Sequence, residues 1–505
     1  MPKKPPSQKN AVLKKPSKIK SFLQKPLVQS TKKTSRKNVV LKKPPKIKSF
    51  LQKSLVQSVS ELLNRSGDPR HDKYISYVID CNKTSNAEPI ETYDQIDGSL
   101  DYIPGAQLLK PQVHLGQRKL FLTELQFLSK TLNPDIEYCI YAGSSPGNKT
   151  HFLSTLFPNI KFILIDPNKF DIKLPNKTSH RVSKHHDIVH MYSGYDSPPL
   201  LNKSNKYKIN KTLSEMKGDE INKYVNFIKK TKYKIYIIED FMTDEYAQLF
   251  KSLNHVFISD IRSNLTNNVN PSDLDIYWNS SMMFNWITIL NPHYSMLKFR
   301  PIYSNDINLS FQKSNSLNNK EFDTSKKYGI DFYKNIKEHR FFMPKSTLYL
   351  QAWAGKTSSE LRMWIAQINI KNIVEYNSKE IESKLFYFNS VARGLCYHKN
   401  SNFSKDLHFC NCNDCALENK IYVDYINMNK LSNNGWNSAN DLVKELDIIT
   451  NKPLRLHHHN NLYNKIDIAT LNKFIDNTNL EREKLFKLNK KKVNRLEKKG
   501  NSGVA

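Results

Sequence analysis

The stretch from Tyr138 to Asp166 constrains the fold more than any other part of the sequence. Tyr138 to Ala142 is a short apolar run suited to a strand buried on both faces, and Gly143-Ser-Ser-Pro-Gly147 turns the chain at its end. A helical stretch around Phe152 to Phe157 follows, and then Lys161 to Asp166, a second apolar strand ending in an acid. Strand, glycine turn, helix, strand and acid is the opening of a doubly wound α/β domain, because parallel strands need a crossover helix that covers the sheet. Leu120, Phe121, Leu125 and Leu128 form a helical stripe ahead of the first strand. Three further apolar strands are expected to complete the sheet: Lys234 to Ile238, Val256 to Ser259 and, after a helix from Ser281 to Leu290, a segment through Tyr294 to Phe299.

Charge divides the chain around this domain. The 505 residues carry a net charge of +31, and 17 of those charges fall between Met1 and Ser58, where no Asp or Glu occurs. That arm is duplicated: the segment from Val12 to Ser30 recurs almost unchanged from Val40 to Ser58. Two copies are too few for a solenoid, which needs about three stacked units. Prolines and like charges predict an unstructured segment over 1–60, either a solvated tail or an arm for phosphate backbones or a partner. A transit peptide is disfavoured, since the basic residues are nearly all Lys and prolines recur.

The α/β domain is expected over 90–395, with ordered sequence from near Glu91. Polar insertions are expected near 171–232 and 315–337, a Cys/His-containing extension at 396–480 and a basic tail at 481–505. With 38% hydrophobic residues, the chain has material for a core of roughly 300 residues. No run approaches about 18 apolar residues and no apolar signal core opens the chain, so a soluble, intracellular protein without a membrane partner is expected.

A glycine turn after a strand lets backbone N–H groups approach a ligand, and Asp166 at the end of the next strand is placed to accept hydrogen bonds from a ribose diol. A nicotinamide dinucleotide is one ligand of this kind. Pro146 interrupts the glycine rhythm of the dinucleotide fingerprint and favours S-adenosylmethionine instead.

From about Tyr93 to Arg393 a series of motifs resembles the poxvirus-type cap-specific mRNA nucleoside 2′-O-methyltransferases, which double as the small stimulatory subunit of viral poly(A) polymerase. The motifs are Leu100-Asp-Tyr102, Gly116-Gln-Arg-Lys119, Thr123 to Lys130, Tyr141-Ala-Gly-Ser-Ser-Pro-Gly147, Leu164-Ile-Asp166, Ile258-Ser-Asp-Ile-Arg-Ser263, Ile289-Leu-Asn-Pro292, Leu297-Lys298 and Ser359-Glu-Leu-Arg362. The resemblance implies a Rossmann-like class I S-adenosylmethionine-dependent methyltransferase fold with a central, mostly parallel sheet, flanked here by basic tails.

It also implies a catalytic tetrad, Lys119, Asp260, Lys298 and Glu360. The reaction would move a methyl group from a sulfonium to a ribose 2′-OH, a hydroxyl that needs help losing its proton. A free lysine, with a pKa of about 10.4, is mostly protonated at neutral pH. A neighbouring ammonium and partial burial disfavour the charged form, whereas carboxylates restrain the shift and fix the side chains. On this resemblance Lys298 orients and deprotonates the 2′-OH, Lys119 and Glu360 tune and position it, and Asp260 links the tetrad to the methyl donor. Catalysis requires no metal.

The same resemblance assigns Gln117, Tyr141, Gly143, Gly147, Asp166, the backbone around Met242, and Asp260 to the donor pocket. Asn168 stands where the family has an arginine, and Asp240 also replaces a basic residue. A methylated guanine is a delocalised cation, best held between two aromatic rings with a carboxylate reading its N1–H and N2–H edge. Tyr102 and Tyr303 are the implied stacking pair and Glu382 the edge-reading acid. The family's second carboxylate falls on Asn305, next to Asp306, and a supporting tyrosine falls on Thr357.

Cys396, His398, His408, Cys410, Cys412 and Cys415 offer six zinc ligands within a short span, and zinc takes four. The spacing is not a repeated CxxC, and the resembling family has no metal here, so structural zinc and free thiols both stand. The leading expectation is a cap 2′-O-methyltransferase acting on capped mRNA. The alternative is a non-catalytic RNA-binding processivity factor for a viral poly(A) polymerase, and a polymerase catalytic subunit is an expected partner in either case. The resemblance implies host cytoplasm and packaging into a virion; the Lys-rich tail also fits a nuclear address.

Overall fold

The computed structural model describes residues 88–102, 115–172, 188–193, 205–209, 219–262, 271–303, 339–355, 358–393, 412–429, 436 and 438–450. All of them lie within one unit, Lys48–Ala505. Strand β1 (Tyr138–Ala142) is the pivot of a nine-stranded sheet. On one side it pairs in parallel with β2 (Lys161–Ile165), followed by β5 (Ile235–Ile238), β3 (Ile188–Ser193) and β4 (Asn205–Ile209). On the other it pairs in parallel with β6 (His255–Ser259), which is followed by β7 (Tyr294–Phe299). Beyond β7 the sheet reverses direction through β10 (Leu361–Ala366), itself antiparallel to β9 (Thr347–Tyr349). A separate antiparallel ribbon joins β8 (Arg340–Pro344) to β11 (Ile373–Asn377). The sheet is thus α/β, mostly parallel and compatible with a Rossmann-like fold.

The direction of winding switches between β2 and β6 on either side of β1. In open α/β sheets the crevice at such a switch point, outside the carboxyl ends of the strands, is where ligands bind.

Alternation along the strands divides the core into two layers. Ile140, Ile163, Tyr236 and Phe257 face one side, with Tyr224 and Ile228 of α3 (Asp219–Lys230), Phe250 of α4 (Asp244–Phe250) and Trp286 and Ile287 of α5 (Asp273–Leu290). Cys139, Tyr141, Phe162, Leu164, Val256 and Ile258 face the other. There they meet α1 (Gly116–Thr131), α2 (Thr150–Leu156), α7 (Asn413–Met428) and α8 (Ala439–Thr450). α6 (Ser378–Tyr387) continues into a π turn at Phe388–Ala392. α5 starts at a capping box in which Ser272 and Asp275 exchange bonds, and it stops at Asn291 in the left-handed region, φ 51°.

Three expectations change against this architecture. The stretch near 171–232 is not only a surface insertion, since β3, β4 and α3 come from it. Its strands escape a search for apolar runs because β4 reads Asn-Lys-Tyr-Lys-Ile, a lysine-bearing pattern suited to a sheet edge. β10 hides for a related reason, Arg362 interrupting its apolar run, so the five strands expected do not complete the sheet. Helices α7 and α8, from the stretch expected as an extension, share the core with α1 and α2: Tyr422, Tyr425 and Leu442 are fully buried. The segments 1–60, 315–337 and 481–505 lie outside the described residues. Among the described residues, no helix is long and apolar enough to cross a membrane.

Candidate active site

Three strand ends and one helix bring Lys119, Asp260, Lys298 and Glu360 together. Lys119 lies in the first turn of α1, Asp260 directly follows β6, Lys298 is on β7, and Glu360 immediately precedes β10. Lys119 Nζ donates to Glu360 Oε1 at 2.7 Å. Lys298 Nζ lies 3.2 Å from Asp260 Oδ1 and 3.5 Å from Glu360 Oε2. Motifs far apart in the chain therefore form one network of charge.

Arg362 holds this network from below. It sits directly across the β7–β10 ladder from Lys298. Fully buried, it donates to Asp260 Oδ1 at 2.7 Å, to Glu360 Oε1 at 3.3 Å and, through Nε, to Gln351 Oε1 at 3.0 Å. Gln351 Nε2 returns a bond to Glu360 Oε1 at 3.2 Å. The family motifs imply no role for either residue, although Arg362 stands inside the Ser-Glu-Leu-Arg motif. A charged residue in the middle of an otherwise apolar strand was the available signal.

Burial opposes charge on Asp260, yet Arg362 first and Lys298 next hold its carboxyl down at about 2. Burial likewise opposes charge on Glu360, and Arg362, Lys298 and Lys119 hold it well below the carboxylate range. Lys119 moves the other way: burial lowers its pKa, with Arg362 adding to the effect and Glu360 resisting it. Arg262, whose pKa burial lowers to about 10, adds a further cation beside Glu360 and Asp260. With four cations around two carboxylates, loss of a proton from Lys119 is favoured.

The glycine loop meets this network at Gly143. Its φ is +77°, and a Cβ there would lie 2.7 Å from Ile261 N and 2.8 Å from the carbonyl carbon of Asp260, so only glycine lets the loop pack on the end of β6. Asp166 already organises the loop: Oδ2 accepts from Ser145 N at 3.1 Å, and Oδ1 accepts from Asn168 N at 2.8 Å and Asn168 Nδ2 at 2.9 Å. A carboxylate has about four lone-pair sites, so one, on Oδ2, remains for a single hydroxyl of a diol. Ser144 Oγ, in the same loop, is buried with no partner among the described residues. Tyr141 is buried and donates to Glu124 Oε1 at 2.8 Å, which also lies 3.0 Å from Lys149 Nζ. Met242 is buried just after β5, with Phe241 beside it 68% exposed, and Gln117 is exposed at the start of α1.

Tyr102, Tyr303 and Glu382 line one cavity of about 280 Å³, together with Ser358, Ser359, Leu385, Phe386 and Asn389. Tyr102 is 45% exposed and packs edge-on against Phe386, with ring centroids 5.3 Å apart. Tyr303 is fixed through its backbone N–H, donated to Asp273 Oδ2 at 3.1 Å, and by the Arg300 guanidinium 5.8 Å from its ring. Burial raises the pKa of Glu382. The cavity adjoins the tetrad: Ser358 and Ser359 line it, and Ser358 Oγ accepts from Glu360 N at 3.1 Å.

Residues 85–196 match the family model described as Poly A polymerase regulatory subunit. The match supports the poly(A) polymerase small-subunit family and spans Tyr102, Lys119, the glycine loop and Asp166. No curated protein shows significant similarity to the chain. Asn305, Asp306 and Thr357 lie outside the described residues, as do Cys396, His398, His408 and Cys410. Cys412 precedes α7 and Cys415 is buried within it. Among the described residues, no group of His, Cys, Asp or Glu is arranged to hold a metal ion.

Proposed function

We propose that the chain is a cap-specific mRNA 2′-O-methyltransferase that also serves as a poly(A) polymerase regulatory subunit. One observation carries the catalytic part. The Lys119–Glu360–Lys298–Asp260 network and the cavity lined by Tyr102, Tyr303 and Glu382 meet at Ser358 and Ser359, which line the cavity and directly precede Glu360. A reader of a cationic base thereby sits next to a group able to deprotonate an alcohol. The donor loop fits S-adenosylmethionine through the partnerless Ser144 hydroxyl, the Asp166 carboxylate at a strand end and the close approach at Gly143. S-adenosylmethionine supplies an electrophilic methyl group when bound.

The chain's own residues do the rest. Tyr102 and Tyr303 hold the methylated guanine by stacking, and Glu382 accepts from its N1–H and N2–H edge. The first transcribed nucleotide then lies over the tetrad. Lys298 Nζ takes the 2′-OH proton as that oxygen attacks, while Asp260 and Glu360 fix the direction of Nζ. Lys119 shares Glu360 and keeps the network's cation excess.

The match over 85–196 favours a second role, binding RNA beside a poly(A) polymerase catalytic subunit, and this role stands even without catalysis. The viral host cytoplasm suits both roles. Transfer from labelled S-adenosylmethionine to RNAs ending in a methylated cap, an unmethylated cap or a triphosphate tests the proposal. Methylation of capped RNA at the 2′-OH, lost in Lys298→Ala, is the expected result. RNA binding without transfer to any of the three would leave only the regulatory role.

A further inference from the structure

Helix α7 carries two buried acids one turn apart, Asp414 and Glu418, and each grips a buried arginine from a different part of the site. Glu418 accepts from Arg118 Nε at 3.0 Å on both oxygens, and the Arg118 guanidinium also donates to Asp447 of α8 at 2.6 Å. Trp353 Nε1 at 2.5 Å and Tyr422 Oη at 2.6 Å complete the shell of Glu418. Arg118 stands between Gln117 and Lys119, so its anchoring sets the rotation of the first turn of α1 and with it the direction of Lys119.

Asp414 takes Arg393 Nε at 2.9 and 3.0 Å. The remaining nitrogens of Arg393 reach Ala354 O at 2.8 Å, Gly355 O at 3.2 Å and Asn389 Oδ1 at 3.0 Å. Asn389 lines the aromatic cavity and donates to Ser358 O at 2.8 Å, two residues before Glu360.

We propose that Asp414 and Glu418 are positioning residues that divide the site between them: Glu418 sets the helix that carries Lys119 through Arg118, and Asp414 sets the cap-side wall through Arg393 and Asn389. The assignment rests on the proposed function for its kinetic consequences, whereas the mechanical coupling does not. A buried arginine held at once by a carboxylate and by further acceptors is a rigid anchor, and a misplacement of about 1 Å near reacting atoms costs roughly 100-fold in rate.

The test uses full-length protein with Glu418→Gln and Asp414→Asn, read by affinity for a methylated cap analogue, turnover at saturating RNA and hydrogen exchange. Glu418→Gln should lower turnover by about 10- to 100-fold with cap affinity within about twofold, and speed exchange in the first turns of α1. Asp414→Asn should weaken cap affinity by about tenfold with turnover within about threefold, and speed exchange around 358–360. Should either variant fail to fold, Trp353→Phe and Arg393→Lys probe the same two arms more gently and should show the same split in smaller measure. Parallel losses of affinity and turnover in both arms, or exchange changes spread over the whole domain, would overturn the division. If the wild type bound no cap analogue, the functional reading would fall, and the localised exchange pattern would still decide the coupling.

Discussion

Replacing Arg362 by Met probes the electrostatic part of the proposed chemistry, because Met keeps most of the volume while removing the cation and the bonds it donates to Asp260, Glu360 and Gln351. Arg362 pairs across the ladder with Lys298 and contributes to the lowered pKa of Lys119. A unit charge about 6 Å away, at an effective dielectric of about 20, interacts by roughly 3 kcal/mol. The substitution also releases Asp260 and Glu360 from their strongest cation, so both pull harder on the lysines and act in the same direction. The ascending limb of the rate profile is therefore expected to move toward alkaline pH. Initial rates of methyl transfer at saturating RNA and donor, measured from neutral pH to about pH 10, should fall about 10- to 100-fold near neutrality and recover toward the alkaline end. Cap-analogue affinity should hardly change, since Arg362 does not line the cavity. A lower plateau with the limb in its original place would refute the argument and leave Arg362 a scaffold residue only.

Gly143→Ala places a methyl 2.7 Å from Ile261 N at a φ of +77°, so it should reduce affinity for S-adenosylmethionine at least tenfold by calorimetry (roughly 1–2 kcal/mol from the backbone conformation alone). Tyr303→Ala should weaken binding of a methylated cap analogue strongly and that of an unmethylated one little, while Tyr303→Phe keeps the stacking; fluorescence titration separates the two. His255 is buried, donates from Nδ1 to Leu253 O at 2.7 Å, and has its pKa lowered by burial to about 4. The folded state thus refuses a proton that the unfolded chain accepts below about 6.5, and stability should fall by about 1.4 kcal/mol per pH unit between those values. Denaturant unfolding of His255→Gln should show that slope removed. Deleting residues 1–58 removes 17 cations and should flatten the salt dependence of RNA affinity; an unchanged slope would exclude the arm from RNA binding.

The central strands β1, β2, β5, β6 and β7 were legible because a strand buried on both faces must be apolar throughout, and a run such as Lys161-Phe-Ile-Leu-Ile165 has few other uses. The glycine turn was legible for a backbone reason, since two glycines with φ of 77° and 65° adopt what other residues avoid. The four tetrad residues were named through family motifs, and nothing in their local spacing required them to meet. That meeting depends on the order of strands in the sheet, which places the ends of β6, β7 and β10 side by side. β4 stayed hidden because its lysine-bearing pattern suits a sheet edge rather than a core strand, and β10 because Arg362 reads as a surface charge, tolerated in a core strand only because Asp260, Glu360 and Gln351 converge on it. Arg118 and Glu418 are 300 positions apart, and each alone reads as a solvated charge. The sequence by itself determined where the apolar strands and the ligand-approaching turn lie, because hydrophobic burial and backbone sterics act locally. Only the tertiary structure decided which charges are buried and paired, because the desolvation of a charge is compensated by partners that the fold brings from elsewhere in the chain.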